Sequence, residues 1–372
     1  MNDLQSAILY FAVYGISAYI LSLAYKIRKR VHFKPDFINS ISFYFFLIMS
    51  TVPIALMYGL RSDEVGFDTP DVVRGYNRVG KGIYTALSGS FSYLYQALRY
   101  VIYNFTGGSR FAILFVIAAL SVLLIEMGYE KLLDDKEDIP WAVFLYLLYL
   151  GPVMVDQSRQ FIGIGFFVIS IACIINKDKI RFIVNYIIGS LFHESVIIAL
   201  PFLVVKRKHL SKKDYEILIF CGAIIIILAM KYVVQIIYLL LPTKFEYIRE
   251  RSHEGTFGFG WVIDVFPMVY IAILLLICNK WSNEKRFDIY SILLYSIPVF
   301  RFAGYYSFFI MRLYYYGAAF CPIIALKALR YTTKPKRMML FFGLVIVFVL
   351  RFLIAFYVFK FNRAIPYSIM KN

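Results

Sequence analysis

The chain has 372 residues, of which 61% are hydrophobic and only 17% charged, and its mean hydropathy is +0.70. A soluble domain is about 45–50% apolar with about 25% charged residues, so no aqueous core holds this excess, and disorder, a collagen-like fibre and a small disulfide scaffold are excluded as well. The formal charge of +17, from 40 basic and 23 acidic residues, falls mainly in short loops between apolar runs, where membrane topology accounts for it and nucleic-acid binding does not.

An apolar stretch of roughly 17–25 residues crosses a bilayer as a helix. In chain order such stretches lie near 6–25, 38–60, 111–128, 140–156, 160–176, 214–240, 261–279, 288–309, 312–330 and 338–358. They predict an all-α polytopic membrane protein of about ten transmembrane helices, in one domain over 1–372. Met1 to Gln5 lacks a basic n-region and the first run is long enough to span, so no cleavable signal peptide is expected. The stretch 181–205 is different, because His193-Glu194-Ser195 interrupts it and basic residues flank both ends. It predicts a helical hairpin with His193 at the tip and arms of about 12 residues, too short to cross. The 36 Phe and 31 Tyr suit the rings that gather at bilayer interfaces. Cys173, Cys221, Cys278 and Cys321 lie in apolar runs and read as buried packing.

The basic loops Lys26–Lys34, Lys177–Arg181, Lys206–Lys213, Lys280–Arg286 and Lys327–Arg337 are cytoplasmic by the positive-inside rule, which puts both termini outside. The outer face then receives 61–110, the link 156–160, the loop 242–260 and the corner from Arg301 to Arg312. The first of these carries Asp63, Glu64, Asp68 and Asp71 beside Arg61, Arg74, Arg78 and Lys81. Its later part, Phe91 to Tyr100, is aromatic and amphipathic, as an interfacial or re-entrant helix would be.

Ionisable residues at span ends are costly and mark function by default. Arg61, Arg159, His193, Arg301 and Arg312 all fall on the outer face of this topology. Guanidinium groups on one face suit an anionic ligand, since Arg binds phosphate bidentately and stays charged when buried; the plainer account is that each snorkels to an interface. His193 sits between Leu191-Phe192 and Val196-Ile197-Ile198, where an imidazole acts as general base, shares a proton with a phosphate oxygen, or makes a structural hydrogen bond. His32 and His209 fall in basic loops, and His253 in an outer one. Asp63 and Asp68 flank the turn-prone Gly66 and are candidate bases, against the alternative of a merely solvated loop. Gly163-x-Gly165 reads as helix packing. No P-loop, dinucleotide fingerprint, His-Glu-x-x-His or zinc-spaced Cys/His cluster occurs, so no cofactor and no metal is expected.

At these residues the sequence resembles the EpsG-type/Wzy-type bacterial polysaccharide (O-antigen) polymerases. Tyr58-Gly59-Leu60-Arg61 leading into Val65-Gly66-Phe67-Asp68-Thr69 is similar to the family's arginine followed by a Gly-x-Asp-Thr/Tyr stretch. Ser158-Arg159-Gln160 is similar to its Arg-Gln helix entry, and Phe192-His193-Glu194-Ser195 to its Phe-His-x-Ser hairpin. Pro70 departs from the pattern, standing where an aromatic or polar residue is usual. The resemblance implies a multi-pass enzyme of the cytoplasmic membrane. It would join oligosaccharide units carried on undecaprenyl diphosphate at the outer face, possess no nucleotide-sugar site, and work beside a chain-length regulator. It further implies Arg61, Arg159 and Arg312, then Arg301, as diphosphate ligands, and Asp68, Asp63 or His193 as the base. Tyr305 and Tyr316, each four residues after an Arg, line a sugar groove or belong to the aromatic belt.

Other readings make other demands. A lipid-linked oligosaccharide flippase also wants outward arginines, but the two-fold repeat of many transporters is absent from the sequence and the polar residues sit at one face, away from the midplane. A polytopic acyltransferase takes its donor from the cytoplasm, whereas this topology puts His193 outside. A purely structural subunit does not explain the long charged outer loop.

Overall fold

A computed structural model of the chain describes residues 1–31, 37–80, 82, 92–203, 232, 260–278, 284, 287–303 and 308–370. These fall into two units, Met1–Leu203 with Phe352–Asn372, and Val204–Arg351. Among the described residues there is no strand; an isolated antiparallel bridge joins Arg61 to Ile369.

The first unit runs α1 (Asp3–Val31), α2 (Phe37–Gly59), α3 (Thr69–Val79), α4 (Tyr93–Thr106), α5 (Arg110–Leu132), α6 (Ile139–Met154), α7 (Ser158–Ile175) and α8 (Lys179–Phe192), then a 3₁₀ helix over Glu194–Leu203. Helices α6 and α7 are apolar on every side, and a helix of that kind is stable only when enclosed. The structure encloses both: α6 is buried except at Trp141 and Phe144, and α7 except at Arg159 and Ile174. Helix α7 packs on α5 at close range. A Cβ on Gly165 would lie 2.5 Å from Leu124 Cβ, and one on Gly128 2.7 Å from Val168 Cγ1, so the packing anticipated for the glycines of α7 holds at Gly165.

Polar residues set the helix ends. Ser109 accepts from the Ala112 N–H at 3.4 Å to open α5, and Asp178 accepts from the Arg181 N–H at 3.0 Å to open α8. Helix α8 stops where His193 turns extended (φ −154°, ψ 121°); the expected hairpin tip is thus a true helix break. The last two residues of that stretch, 204–205, lie outside the described residues.

The second unit contains α9 (Gly260–Ile277), α10 (Phe287–Ala303), α11 (Phe308–Met311), α12 (Tyr314–Ala318), α13 (Cys321–Leu329) and α14 (Lys334–Phe352), which passes into a π-helical turn over Leu353–Val358. Two expectations need correction. The stretch 312–330 is not one helix: Pro322 has no N–H to donate back to Ala318, and the helix restarts as α13. The outer loop holds a helix, α3, that its charged sequence conceals. Pro70 occupies the first turn of α3, where the missing N–H costs nothing.

Among the described residues five helices are long and apolar enough to cross a membrane: Asp3–Lys29, Ser40–Gly59, Arg110–Leu132, Ser158–Ile175 and Lys334–Val358. The expected span 214–240 and outer loop 242–260 lie outside the described residues except at Tyr232 and Gly260, as do Cys221, His32, His209 and His253. Cys173, Cys278 and Cys321 are buried.

Candidate functional site

The chain leaving α2 forms a tight loop, Arg61 to Thr69, held on two sides. On one side lies the C-terminal segment: Met370 N–H donates to Leu60 O and Ser62 N–H to Ser368 O, both at 2.8 Å, and Gly66 N–H to Arg363 O at 3.2 Å. The Arg363 guanidinium covers the Phe67 ring at 4.3 Å. That segment is itself anchored, since Tyr367 OH donates to Met57 O at 2.5 Å and Tyr10 OH to Ala364 O at 3.1 Å.

On the other side lies the link between α6 and α7. Arg61 is only 2% exposed; its Nη2 donates to Val155 O and its Nε to Thr69 Oγ1, both at 3.1 Å, and it lies 5.6 Å from the Tyr58 ring centre. In this geometry Arg61 ties the loop to the link. Gly66 adopts φ +88°, and a Cβ there would meet Val155 Cγ1 at 2.5 Å and Asp156 Oδ1 at 2.9 Å. Only glycine combines that backbone conformation with that approach.

The approach seats Asp156, 5% exposed, against Asp68, whose N–H donates to Asp156 Oδ1 at 3.3 Å. Burial foremost, then the negative charge of Asp68, pushes the Asp156 carboxyl up to about 7; N–H groups of Asp68 and Phe67 and the Arg61 charge oppose the rise. Asp68 is half-buried and opens α3 without a side-chain capping bond. Asp63 points elsewhere, to Arg110 at 2.8 Å, and Arg110 also donates to Arg61 O at 3.0 Å.

Arg159, in the first turn of α7, donates through Nη1 to Ser92 Oγ at 3.1 Å, and Ser92 Oγ donates to Glu194 Oε2 at 3.3 Å. The residues at the start of α4, the start of α7 and the break after α8 are thereby joined. At the break, Ser195 Oγ lies 2.6 Å from His193 Nδ1, and the Ser195 N–H donates to the same nitrogen at 3.3 Å. A backbone N–H only donates, so Nδ1 accepts and the neutral ring carries its proton on Nε2.

In the second unit, Asp264 (3% exposed) accepts from Arg301 Nε at 2.9 Å and from Arg351 Nη2 at 2.6 Å, and Arg351 is 1% exposed. The Arg301 guanidinium also contacts Met311 Sδ and lies 5.3 Å from the Tyr314 ring centre. Among the described residues one carboxylate thus lies between two guanidinium groups. Arg312 stands half-buried in the turn before α12, Tyr316 is buried, and Tyr305 lies outside the described residues.

The sequence reading missed Asp156, Ser92, Glu194, Asp264 and Arg351 as members of these sets. Asp264 and Arg351 were discoverable by the argument that flagged the other arginines, since each interrupts an apolar run. Glu194 stands in the polar interruption of 181–205, whereas Ser92 carries no sequence signal; only the packing of distant helices makes them partners.

Residues 43–369 match the EpsG family. The chain belongs to that family. EpsG proteins are Wzy-like polysaccharide polymerases, and with its apolar helices this member is a multi-pass membrane protein. No curated protein and no solved structure matches it. The EpsG match takes in every polar set above, together with the C-terminal segment as far as Ile369, and leaves out α1 and the start of α2.

Proposed function

We propose that this EpsG-family protein polymerises oligosaccharide repeat units carried on undecaprenyl diphosphate at the outer face of the bacterial cytoplasmic membrane, for O-antigen, capsule or exopolysaccharide. The hydroxyl of the incoming lipid-linked unit attacks the anomeric carbon of the growing chain. A C–O bond forms, the anomeric bond to the diphosphate breaks, and its electron pair leaves on the lipid diphosphate. The hydroxyl proton passes to a base. No nucleotide sugar enters.

The observation that carries this reading is the half-buried Asp68, whose backbone N–H donates to the buried Asp156 and whose charge acts on it, at the same link that presents Arg159. Asp68 is assigned as the base, because its partner favours the protonated form and so accommodates the negative charge of the first carboxylate. Arg159 is assigned to the diphosphate, with His193 offering its Nε2–H to the same class of oxygen. Arg301 and Arg312 are the second unit's diphosphate candidates. Arg61 acts in this scheme by holding the loop, and Asp63 by pairing with Arg110.

The test is the surface glycan profile of a strain lacking the gene, with and without its restoration. The reading expects a ladder of repeats that collapses to single units and returns on complementation. Loss of even the single outward-facing unit, with lipid-linked units retained inside, would replace the polymerase by the flippase. An intact ladder would reject both.

A further inference from the structure

At the far end of the first unit from the Arg61 loop, α1 and α6 leave a cavity of about 590 Å³, lined by Gly15, Ala18, Tyr19, Tyr25, Trp141 and Phe144 along its length and by Lys26, Lys29 and Glu137 at its mouth. It lies along α1, which is long and apolar enough to cross the membrane. Trp141 and Phe144, the two positions at which the enclosed α6 reaches the surface, both open into it. The floor is not closed by neighbouring side chains: a Cβ on Gly15 would find nothing within 4 Å. From Gly15 to Lys29 the helix rises by about 21 Å, a length suited to an extended hydrocarbon chain.

The mouth carries two lysines against Glu137, with Asp135 also acting on Lys29. Lys26 is exposed and has no ion-pair partner among the described residues. Lys29 pairs with Glu137 at 2.6 Å, but both side chains are largely exposed, so the pair exchanges partners at little cost. Arg28 is engaged by Glu130. An apolar channel beside a membrane-crossing helix is filled by bilayer hydrocarbon, and lysines at one end select the headgroup above it.

We infer that the groove between α1 and α6 is a binding site for one anionic phospholipid of the bilayer, its acyl chain lying over Gly15 and Ala18 between Tyr19 and Trp141 and its phosphate held by Lys26 and Lys29. The site is separate from the Asp68–Asp156 and Arg159 residues and does not depend on their assignment.

Trp141 reports occupancy directly. The full chain carrying Trp261→Phe and Trp281→Phe retains Trp141 as its single tryptophan, and is reconstituted with phosphatidylcholine mixed with brominated phosphatidylglycerol or brominated phosphatidylcholine. The expected result is stronger quenching by the anionic lipid, with a relative association constant about fivefold higher, the scale of one basic side chain's attraction to an anionic lipid. The preference should vanish in Lys26→Gln/Lys29→Gln. It should also vanish in Gly15→Leu, whose Cβ enters open space and whose side chain takes up room in the groove. Equal quenching by the two lipids would overturn the inference, as would a preference that survives either variant. Displacement of the brominated lipid by undecaprenyl diphosphate at equal mole fraction would assign the groove to the substrate's chain and overturn it too.

Discussion

The two polar clusters of this protein are built on opposite plans. Around the Arg61 loop, the buried Asp156 lies beside a second carboxylate, Asp68, and is opposed by backbone N–H groups and the enclosed Arg61. In the second unit Asp264 lies between Arg301 and Arg351 among the described residues. A carboxyl beside another carboxylate in a dry setting holds a proton, and guanidinium groups attract anions. The first arrangement is therefore suited to taking a proton from a sugar hydroxyl, and the second to stabilising a phosphate or to fixing the ends of α9, α10 and α14. Substitutions separate these roles.

The largest effect on activity is expected at Asp68. Asp68→Asn should lower polymerisation by about 10²–10⁴-fold, the range of a lost general base, with the purified protein's melting temperature almost unchanged. A variant that still produces full ladders would remove the proton-accepting role from the first cluster. The counterpart in the second cluster is Asp264→Asn. It leaves the buried Arg351 and the half-buried Arg301 facing a neutral amide, and should destabilise the protein by about 3–5 kcal/mol, read as loss of folded protein on detergent size exclusion and thermal melting.

Arg159→Lys keeps the charge and loses the planar fork, so turnover should fall about tenfold while thermal stability holds. Equal activity of the lysine variant would mean that Arg159 serves only as a charge.

Asp156 sharpens the comparison through pH. Its carboxyl, held at about 7 in the fold against about 3.9 in the unfolded chain, binds a proton in the native state that the unfolded state has released. Stability therefore falls as pH rises from about 4 to about 7 and is flat above that window. Asp156→Asn should abolish this slope, measured as melting temperature against pH, and should be no less stable than the native chain at neutral pH. The smallest effect is expected at Asp63. Asp63→Asn breaks a partly exposed pair with Arg110 and should cost about 1 kcal/mol, with the glycan ladder preserved.

Much of this could be read from the order of residues. The apolar runs placed α2, α5, α6 and α7 to within a few residues, and α1 short by six at its basic C-terminal end, because burial in lipid demands length and hydrophobicity and little else. His193 declared itself as a helix break by standing polar inside an apolar run. Helix α3 escaped notice because it buries only Thr69, Tyr76 and Val79 and is otherwise polar. The C-terminal segment escaped for another reason: its contacts with Leu60, Ser62 and Gly66 join residues some 300 positions apart, and no local pattern encodes such a meeting.

By itself, then, the sequence determined that this is a membrane protein, where its helices run, which arginines and carboxylates stand at their ends, and a resemblance to a polymerase family. All but the resemblance, which rests on short motifs, follow from the local cost of moving each residue type into hydrocarbon. What the tertiary structure alone decided is how those residues are used. Arg61 is consumed in tying a loop to a link, Asp156 is driven against Asp68 by the close approach of Gly66, and Asp264 is shared between Arg301 and Arg351. Such pairings depend on distances between segments remote in the chain, and packing, rather than composition, sets those distances.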